Sequence, residues 1–112
     1  SNWRECLSRL ALKAEGRRLR GLLYACPNVG IQDVKLGDMV FFPHPRSELR
    51  TVAKITPTGR VDGRSLITET TERFTAKSWP AEARAVPPAL AREVMEYHAA
   101  WQESEPLTPM ES

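Results

Sequence analysis

At 112 residues, the chain is long enough for one compact domain and too short for two. Its 41% hydrophobic and 27% charged residues are ordinary for a globular protein and exclude a wholly disordered chain. No apolar run approaches the roughly 18 residues of a membrane span, and the start has no signal-peptide pattern. We therefore expect a cytoplasmic protein without a membrane partner. The chain begins at Ser1 rather than methionine, which leaves open that it is a fragment of a longer protein.

The formal charge of +2 is unevenly distributed. Residues 1–24 carry six basic and two acidic side chains (+4), residues 25–80 eight and six (+2), and residues 81–112 two and six (−4). A basic start and an acidic end suit two arrangements. Either the first half faces nucleic acid, or the terminal helices attract each other within or between molecules.

Residues 1–26 are predicted to form an N-terminal helical segment. Apolar residues follow the helical period as far as Ala14, and those beyond Gly16 fall on a different face, so we expect a kink or two helices near Gly16. The first set is Trp3, Cys6, Leu7, Leu10, Ala11 and Ala14, and the second is Leu19, Leu22 and Leu23. A basic stripe on this segment is either a binding surface or a solvated face. It consists of Arg9, Lys13 and Arg20.

Residues 31–80 are predicted to form a small β-barrel of four or five antiparallel strands. Alternation and β-branched content place strands at about 38–42, 50–56, 60–68 and 72–76. A Gly-Asp turn at Gly37 leads into the first strand, and a Pro-Thr-Gly turn at 57–59 joins the second to the third. The loop 43–48 contains His44 and lies where small barrels carry a binding loop.

Beyond residue 81 the helical pattern returns. Pro87 and Pro88 suit a helix start, and apolar positions from Leu90 to Trp101 are interrupted by glutamates. We predict an acidic helix over 87–103 and a flexible tail over 104–112, because the tail is polar and proline-spaced. The predicted fold class is α+β, with a small barrel between a basic N-terminal helix and an acidic C-terminal helix.

The sequence carries no motif for catalysis, a cofactor or a metal. It lacks a glycine-rich phosphate loop, Gly-x-Ser-x-Gly, His-Glu-x-x-His and Cys-x-x-Cys. Cys6 and Cys26 lack the spacing of a zinc site and are interpreted as free thiols, with a disulfide as the alternative. We predict a protein that is not an enzyme. An enzyme using His44 is an alternative that needs a pocket and a nearby carboxylate or thiol; His98 is interpreted as a core or interface residue.

Basic residues beside the strands are interleaved with aromatic ones, as in nucleic-acid-binding surfaces. If Val52 and Ile55 face the core, Arg50 and Lys54 face outward next to the third strand. Such a surface attracts phosphates without sequence preference. The predicted contacts are Arg50, Lys54, Arg60 and Arg64 on the sheet and Arg17, Arg18 and Arg20 on the helix.

Three segments carry a family resemblance. Residues 36–42 (Leu-Gly-Asp-Met-Val-Phe-Phe), residues 52–61 (Val-Ala-Lys-Ile-Thr-Pro-Thr-Gly-Arg-Val) and Arg73-Phe74 resemble small uncharacterised bacteriophage and prophage proteins with a Src-homology-3-like barrel. The Gly-Asp start and preceding basic helix also resemble the C-terminal DNA-binding barrel of retroelement integrases and transposases. The chain departs from the phage pattern by a longer stretch over 65–72 and by its acidic C-terminal helix.

This resemblance implies a fold more than an activity. Together with the basic residues, it leads us to predict a non-enzymatic accessory module of phage or mobile-element type that binds DNA or RNA. The alternative is an interaction or assembly protein, with a protein partner or a homo-oligomer held through the helices. Its interface would comprise Leu19, Leu22, Leu23, Tyr97 and Trp101. Charge placement separates the two hypotheses. If residues 17–20 pair with the glutamates of the C-terminal helix, the basic patch is neutralised internally.

Overall fold

A computed structural model describes residues 2–104 of the chain, with side chains from Arg9 onward. The elements in chain order are helix α1 (Asn2–Tyr24), a 3-10 turn (Ile31–Asp33), strands β1 (Met39–Phe42), β2 (Glu48–Ile55), β3 (Val61–Ser65), β4 (Thr71–Phe74) and β5 (Arg84–Val86), and helix α2 (Pro88–Ser104). The strands form one antiparallel sheet in the order β4-β3-β2-β1-β5. The α+β class is confirmed. The sheet is open, with β4 and β5 at its edges, so the predicted closed barrel is not observed.

All four residues of strand β1, which lies between β2 and β5, are buried. Successive side chains of a strand point to opposite faces, so β1 contributes to a core on each side of the sheet. Val40 and Phe42 contribute to a core that the sheet builds largely from its own residues, together with Trp79. We call this side the inner face. The inner-face core consists of Val34, Val40, Phe42, Val52, Val61, Phe74 and Ala83.

The opposite side of β1 is the outer face, where Met39 and Phe41 pack against the helices. Leu23 of α1 and Val94 of α2 are buried in this second core. Burying such side chains contributes roughly 1.5 to 3 kcal/mol each. The helices therefore cover the β1 region of the outer face.

Strand β5 lies beyond residue 80, where a barrel boundary was predicted. It pairs with β1, with Met39 opposite Val86. The indole of Trp79 donates to the carbonyl of Val29 at 3.0 Å, and the amide of Val29 donates to the carbonyl of Ala83 at 2.8 Å. These bonds hold the segment before β5 against the segment after α1. Only three residues form this strand, too few to show an alternating pattern.

Helix α1 runs through Gly16 as one helix, so the predicted alternative of two helices is wrong, and the kink stays a prediction. A Cβ atom at Gly16 would lie 2.4 Å from the hydroxyl oxygen of Tyr97, and the glycine instead allows close approach of α2. The helices run antiparallel, because Gly16 meets Tyr97 while Arg18, further along α1, meets Glu93. No described helix is both long and apolar enough to cross a membrane.

Part of the predicted apolar face of α1 is solvent-exposed. Leu10 is 60% exposed, and Ala11 and Ala14 are exposed beside it. The side chains of Trp3, Cys6 and Leu7, which continue this face, and residues 105–112 of the predicted tail lie outside the described part. Cys26 is a buried free thiol whose Sγ donates to the carbonyl of Leu22 at 3.3 Å. Burial raises the pKa of this thiol.

Candidate nucleic-acid interface

Arg50, a predicted phosphate contact, is buried, with only 7% of its side chain exposed. Its guanidinium donates hydrogen bonds to the carbonyl oxygens of Gly63 at 2.8 Å and Thr70 at 3.2 Å. It also pairs with Glu48 at 3.2 Å and Glu72 at 3.3 Å. The predicted outward position of Arg50 is wrong, and this enclosed guanidinium is not available to a phosphate.

The error lies in separating Arg50 from Val52, because residues two apart on a strand share a face. A β-bulge then changes the side on which Lys54 lies. The register shifts between Val52 and Lys54, so that Ala53 is an extra residue without a partner on β3. Before the bulge, Arg50 shares the inner face with buried Val52. After it, Lys54 lies opposite Asp62 on the outer face. Strict alternation, which places Arg50 and Lys54 on one side, fails across the bulge.

The buried arginine belongs to a group that we call the arginine–glutamate cluster: Arg46, Glu48, Arg50 and Glu72. Arg46 donates to Glu48 at 2.6 Å and to Glu72 at 2.7 Å, and its guanidinium lies 5.3 Å from the ring centre of Phe74. Burial opposes ionisation of Glu48, but hydrogen bonds from Arg50 and Arg46 hold the pKa of Glu48 below its usual value. With two cations and two anions in mutual contact, the cluster stabilises the sheet and carries no net charge.

Arg18 has a structural role between the helices. It forms two hydrogen bonds of 2.7 Å to Glu15 within α1 and one of 2.8 Å to Glu93 of α2. The hydrogen bond from Arg18 lowers the pKa of Glu15. Of the predicted pairings between residues 17–20 and the acidic helix, this is the one formed within residues 9–104. The basic side of α1 is therefore only partly neutralised.

The exposed part of the outer face is nearly neutral. Arg73 pairs with Asp62 at 2.7 Å, and that hydrogen bond lowers the pKa of Asp62, with a smaller contribution from nearby Lys54. Arg64, half exposed, pairs with Glu69 at 3.0 Å. Three cations and two carboxylates leave a local charge of about +1.

Arg60 lies in the turn between β2 and β3, where its backbone amide donates to the Thr56 hydroxyl oxygen at 3.0 Å. Gly59 adopts φ = +87° in this turn, a backbone conformation that glycine accepts readily. The side chains of Arg60 and Lys54 are exposed, and neither pairs with another residue whose side chain is described. They remain available, but neither lines any of the three hollows described below.

The strongest basic feature is a stripe on α1 formed by Lys13, Arg17 and Arg20, the α1 cation stripe. Positions three and four residues apart share one side of a helix, and these three span about 10 Å along it. All three side chains are exposed, and none forms an ion pair with another residue in the described range 9–104. The sequence analysis placed Lys13 on a basic stripe with Arg9 and Arg20 but left it out of the predicted phosphate contacts.

The α1 cation stripe forms one wall of a groove of about 450 Å³, between α1, α2 and the ends of β2 and β3. The floor is apolar and includes Leu19, Leu23 and Phe41. Exposed Ile67 of the β3–β4 turn lies across from the stripe. Glu48 is the carboxylate on the lining, and its charge is balanced by Arg46 and Arg50. The groove thus combines an apolar floor with three cations on one wall.

A larger hollow of about 590 Å³ lies between β1, β5 and the start of α2. Its charged residues are Asp38 and Arg92, one of each sign, and the Asp38 carboxylate accepts the backbone N–H of Lys35 at 2.9 Å. This hollow has no net charge to attract an anion. Its larger volume would favour this hollow as a binding site, but the three cations make the groove beside α1 the better site for an anionic ligand.

Catalytic chemistry finds little support in the described residues. Within them, no group of three or more His, Cys, Asp or Glu side chains could hold a metal ion. His44 lies exposed in the β1–β2 loop, where its backbone amide donates to the Tyr24 hydroxyl oxygen at 3.1 Å. His98 lines a separate hollow beside Arg64 on the other side of α2. Neither histidine lines the groove or pairs with a carboxylate among these residues.

No family model, curated protein or solved structure gives a significant match to this chain. The geometry described above is accordingly the basis for the functional proposal.

Proposed function

We propose that this chain is a non-enzymatic nucleic-acid-binding accessory module that contacts phosphates through the α1 cation stripe. The observation that carries the proposal is the presence of three exposed cations on one wall of a groove, without ion-pair partners in the described range. A surface of this kind binds polyanions by releasing condensed counterions. The stripe comprises Lys13, Arg17 and Arg20.

Charge arithmetic favours the stripe over the sheet. Paired cations attract a phosphate weakly because a neighbouring carboxylate opposes the interaction, and an exposed pair gains only about 0 to 1 kcal/mol from its own contact. The stripe contributes +3 without such opposition, whereas the exposed outer face contributes about +1. In the proposal Arg17 and Arg20 keep their predicted role, Arg18 and Arg50 are structural, and Lys54, Arg60 and Arg64 form a secondary flank.

The proposal extends to the origin and fold family of the module. We place it among small phage or mobile-element proteins with a Src-homology-3-like sheet, acting in the cytoplasm. The sequence resemblance supports this, as does a sheet that packs its inner face on its own residues, such as Val40, Phe42 and Phe74. A module of this kind positions a nucleic acid and leaves chemistry to other proteins.

Fluorescence anisotropy of labelled oligonucleotides at several salt concentrations tests the proposal. Three phosphate contacts predict that log K falls by about 2 to 3 per tenfold rise in salt. A variant with Lys13→Ala, Arg17→Ala and Arg20→Ala should lose most of the affinity and this salt dependence.

The matched control carries the same loss of charge elsewhere: Lys35→Ala, Lys77→Ala and Arg92→Ala, all at exposed positions. It should retain binding and a nearly unchanged salt slope. If both triple variants weaken binding equally, the stripe is not a site. If the parent chain binds no oligonucleotide at low salt, the proposal is wrong.

A second candidate, an assembly protein, is favoured by exposed apolar side chains of α1. Leu10 is 60% exposed and Leu22 is 41% exposed. The interface predicted from sequence is altered, because Leu19 and Leu23 are buried in the chain's own core. Light scattering with the parent chain and with Leu10→Glu tests this function. A mass of two or more chains that falls to one in the variant would support assembly.

A further inference from the structure

We infer that the groove beside α1 selects single-stranded over double-stranded nucleic acid, an inference that rests on the proposed function. Sites for single strands combine cations that follow the backbone with apolar and aromatic surface on which unpaired bases stack. A duplex presents its phosphates and sugars outward and keeps its base faces stacked inside. Only a single strand can therefore use both the cations and the exposed apolar side chains that line this groove.

The cationic wall and the apolar lining lie side by side. Lys13, Arg17 and Arg20 line the groove together with Ile67, whose side chain is 68% exposed, and Tyr24, which is 39% exposed. Tyr24 continues the stripe on the same side of α1, four residues after Arg20, and Ile67 belongs to the β3–β4 turn. A strand whose phosphates follow α1 would therefore place its bases against Tyr24 and Ile67. Water-exposed apolar surface of this kind gains free energy when a base covers it.

Tyr24 is held in a fixed orientation that suits stacking. Its ring meets the ring of Phe41 edge to face, with centres 5.0 Å apart and planes inclined by 75°. Its hydroxyl oxygen accepts the backbone N–H of His44 at 3.1 Å. Because the ring is fixed before a ligand arrives, little side-chain entropy is lost on binding.

The far side of the groove does not repel phosphate. Glu48 is the carboxylate on its lining, and Arg46 and Arg50 both donate hydrogen bonds to it. The arginine–glutamate cluster thus serves the groove indirectly, because it neutralises a charge that would oppose an anionic ligand.

Anisotropy titrations with four matched probes test this inference. The probes are a labelled 12-nucleotide single-stranded DNA, the RNA of the same sequence, the corresponding DNA duplex, and an abasic DNA strand of equal length and charge. We expect both single strands to bind at least about tenfold more tightly than the duplex and the abasic strand, given the energy of stacking one or two bases. Equal affinity for the base-containing and abasic strands would overturn the inference.

Two variants separate stacking from charge. Tyr24→Leu keeps an apolar side chain but removes the aromatic ring, and should weaken single-strand binding about 5- to 100-fold while leaving duplex binding unchanged. Ile67→Ser changes an exposed position and provides a second test that does not depend on the packing around Phe41. Leu36→Ser, at a position that is 67% exposed and outside the groove, is its control.

The outcomes distinguish this inference from the proposed function. If single strands and duplex bind equally and both groove variants behave like Leu36→Ser, the preference for single strands is wrong and nucleic-acid binding stands. If none of the probes binds, both proposals are wrong. If a labelled polyglutamate peptide binds the parent chain but not the Lys13, Arg17 and Arg20 variant, while no oligonucleotide binds, the groove is a site for acidic protein segments, which also overturns the inference.

Discussion

Arg50 and Gly63 are fitted to each other across neighbouring strands. The guanidinium Nη1 of Arg50 donates to the carbonyl of Gly63 at 2.8 Å, and its aliphatic stem occupies the space that a side chain at position 63 would need. A Cβ atom at Gly63 would lie 3.1 Å from Cδ of Arg50 and 3.3 Å from the ring of Phe74. The absence of a side chain at position 63 thus allows an arginine to be buried on the inner face.

Gly63→Ala should accordingly destabilise the fold. Arg50 is held by several hydrogen bonds and Phe74 is fully buried, so neither neighbour can move freely. Overpacking of this kind costs about 1 to 3 kcal/mol in the free energy of unfolding. Urea denaturation followed by circular dichroism measures it. An unchanged midpoint would show that Arg50 can relax.

Arg50→Met should reduce stability without reducing affinity for nucleic acid. The substitution keeps the apolar stem but leaves Glu48 and Glu72 with Arg46 as their remaining partner in the cluster, and breaking a buried pair costs about 3 kcal/mol. The control is Lys54→Met, at an exposed position on the same strand. We expect it to change the free energy of unfolding by no more than about 0.5 kcal/mol. Unfolding and binding are measured on both variants. A loss of affinity in folded Arg50→Met alone would restore Arg50 as a contact.

Stability should fall on acidification, partly through Glu48. The pKa of Glu48 is lower in the folded chain than in the unfolded chain. In the unfolded chain this pKa is about 4.3. Its stabilising contribution is therefore fully present above the unfolded pKa and is lost as the pH falls through the folded pKa.

Glu48→Gln should be less stable than the parent near neutral pH, and the difference should narrow as the pH falls below the unfolded pKa of Glu48. Urea titrations at several pH values measure the gap. Asp62 and Glu15 also have lowered pKa values. Both residues are present in the parent and in Glu48→Gln, so their pH dependence cancels in the comparison. A gap that stays constant with pH would contradict the role of Glu48.

Alanine substitution at the two glycines of α1 should change the stability of the fold in opposite directions. Gly21 has no heavy atom within 4 Å of an added Cβ, so Gly21→Ala should stabilise the helix by about 1 kcal/mol. At Gly16 the added Cβ would lie 2.4 Å from the Tyr97 hydroxyl oxygen, and the clash should outweigh the gain in helix propensity. Thermal unfolding of both variants shows whether each substitution raises or lowers the stability. Gly16→Ala combined with Tyr97→Leu should recover much of the loss, and stabilisation by Gly16→Ala alone would contradict the close packing of α1 and α2.

Local patterns were sufficient to predict the two helices and four of the five strands. The alternation around Val40 and the turn at Gly59 are local signals, and strands β1 to β4 lie within a few residues of their predicted positions. Strand β5 depends on pairing with β1, which is distant in sequence. The close approach of α2 at Gly16 likewise involves Tyr97, far along the chain.

The candidate site was predicted less completely because burial and pairing decide which cations are free. A one-residue bulge at Ala53 separates Arg50 from Lys54, and no local pattern marks it. The pairing of Arg18 with Glu93 requires the antiparallel approach of two helices. The spacing of Lys13 and Arg17 is, in contrast, a helical signal present in the sequence.

Amide chemical-shift mapping of the isotope-labelled chain, titrated with a short single-stranded oligonucleotide, tests the central claim most directly. The account predicts the largest shifts along residues 13–24 of α1 and near Ile67, which line the groove. Shifts concentrated at Lys54, Arg60 and Arg64, with α1 unaffected, would contradict it and assign binding to the sheet.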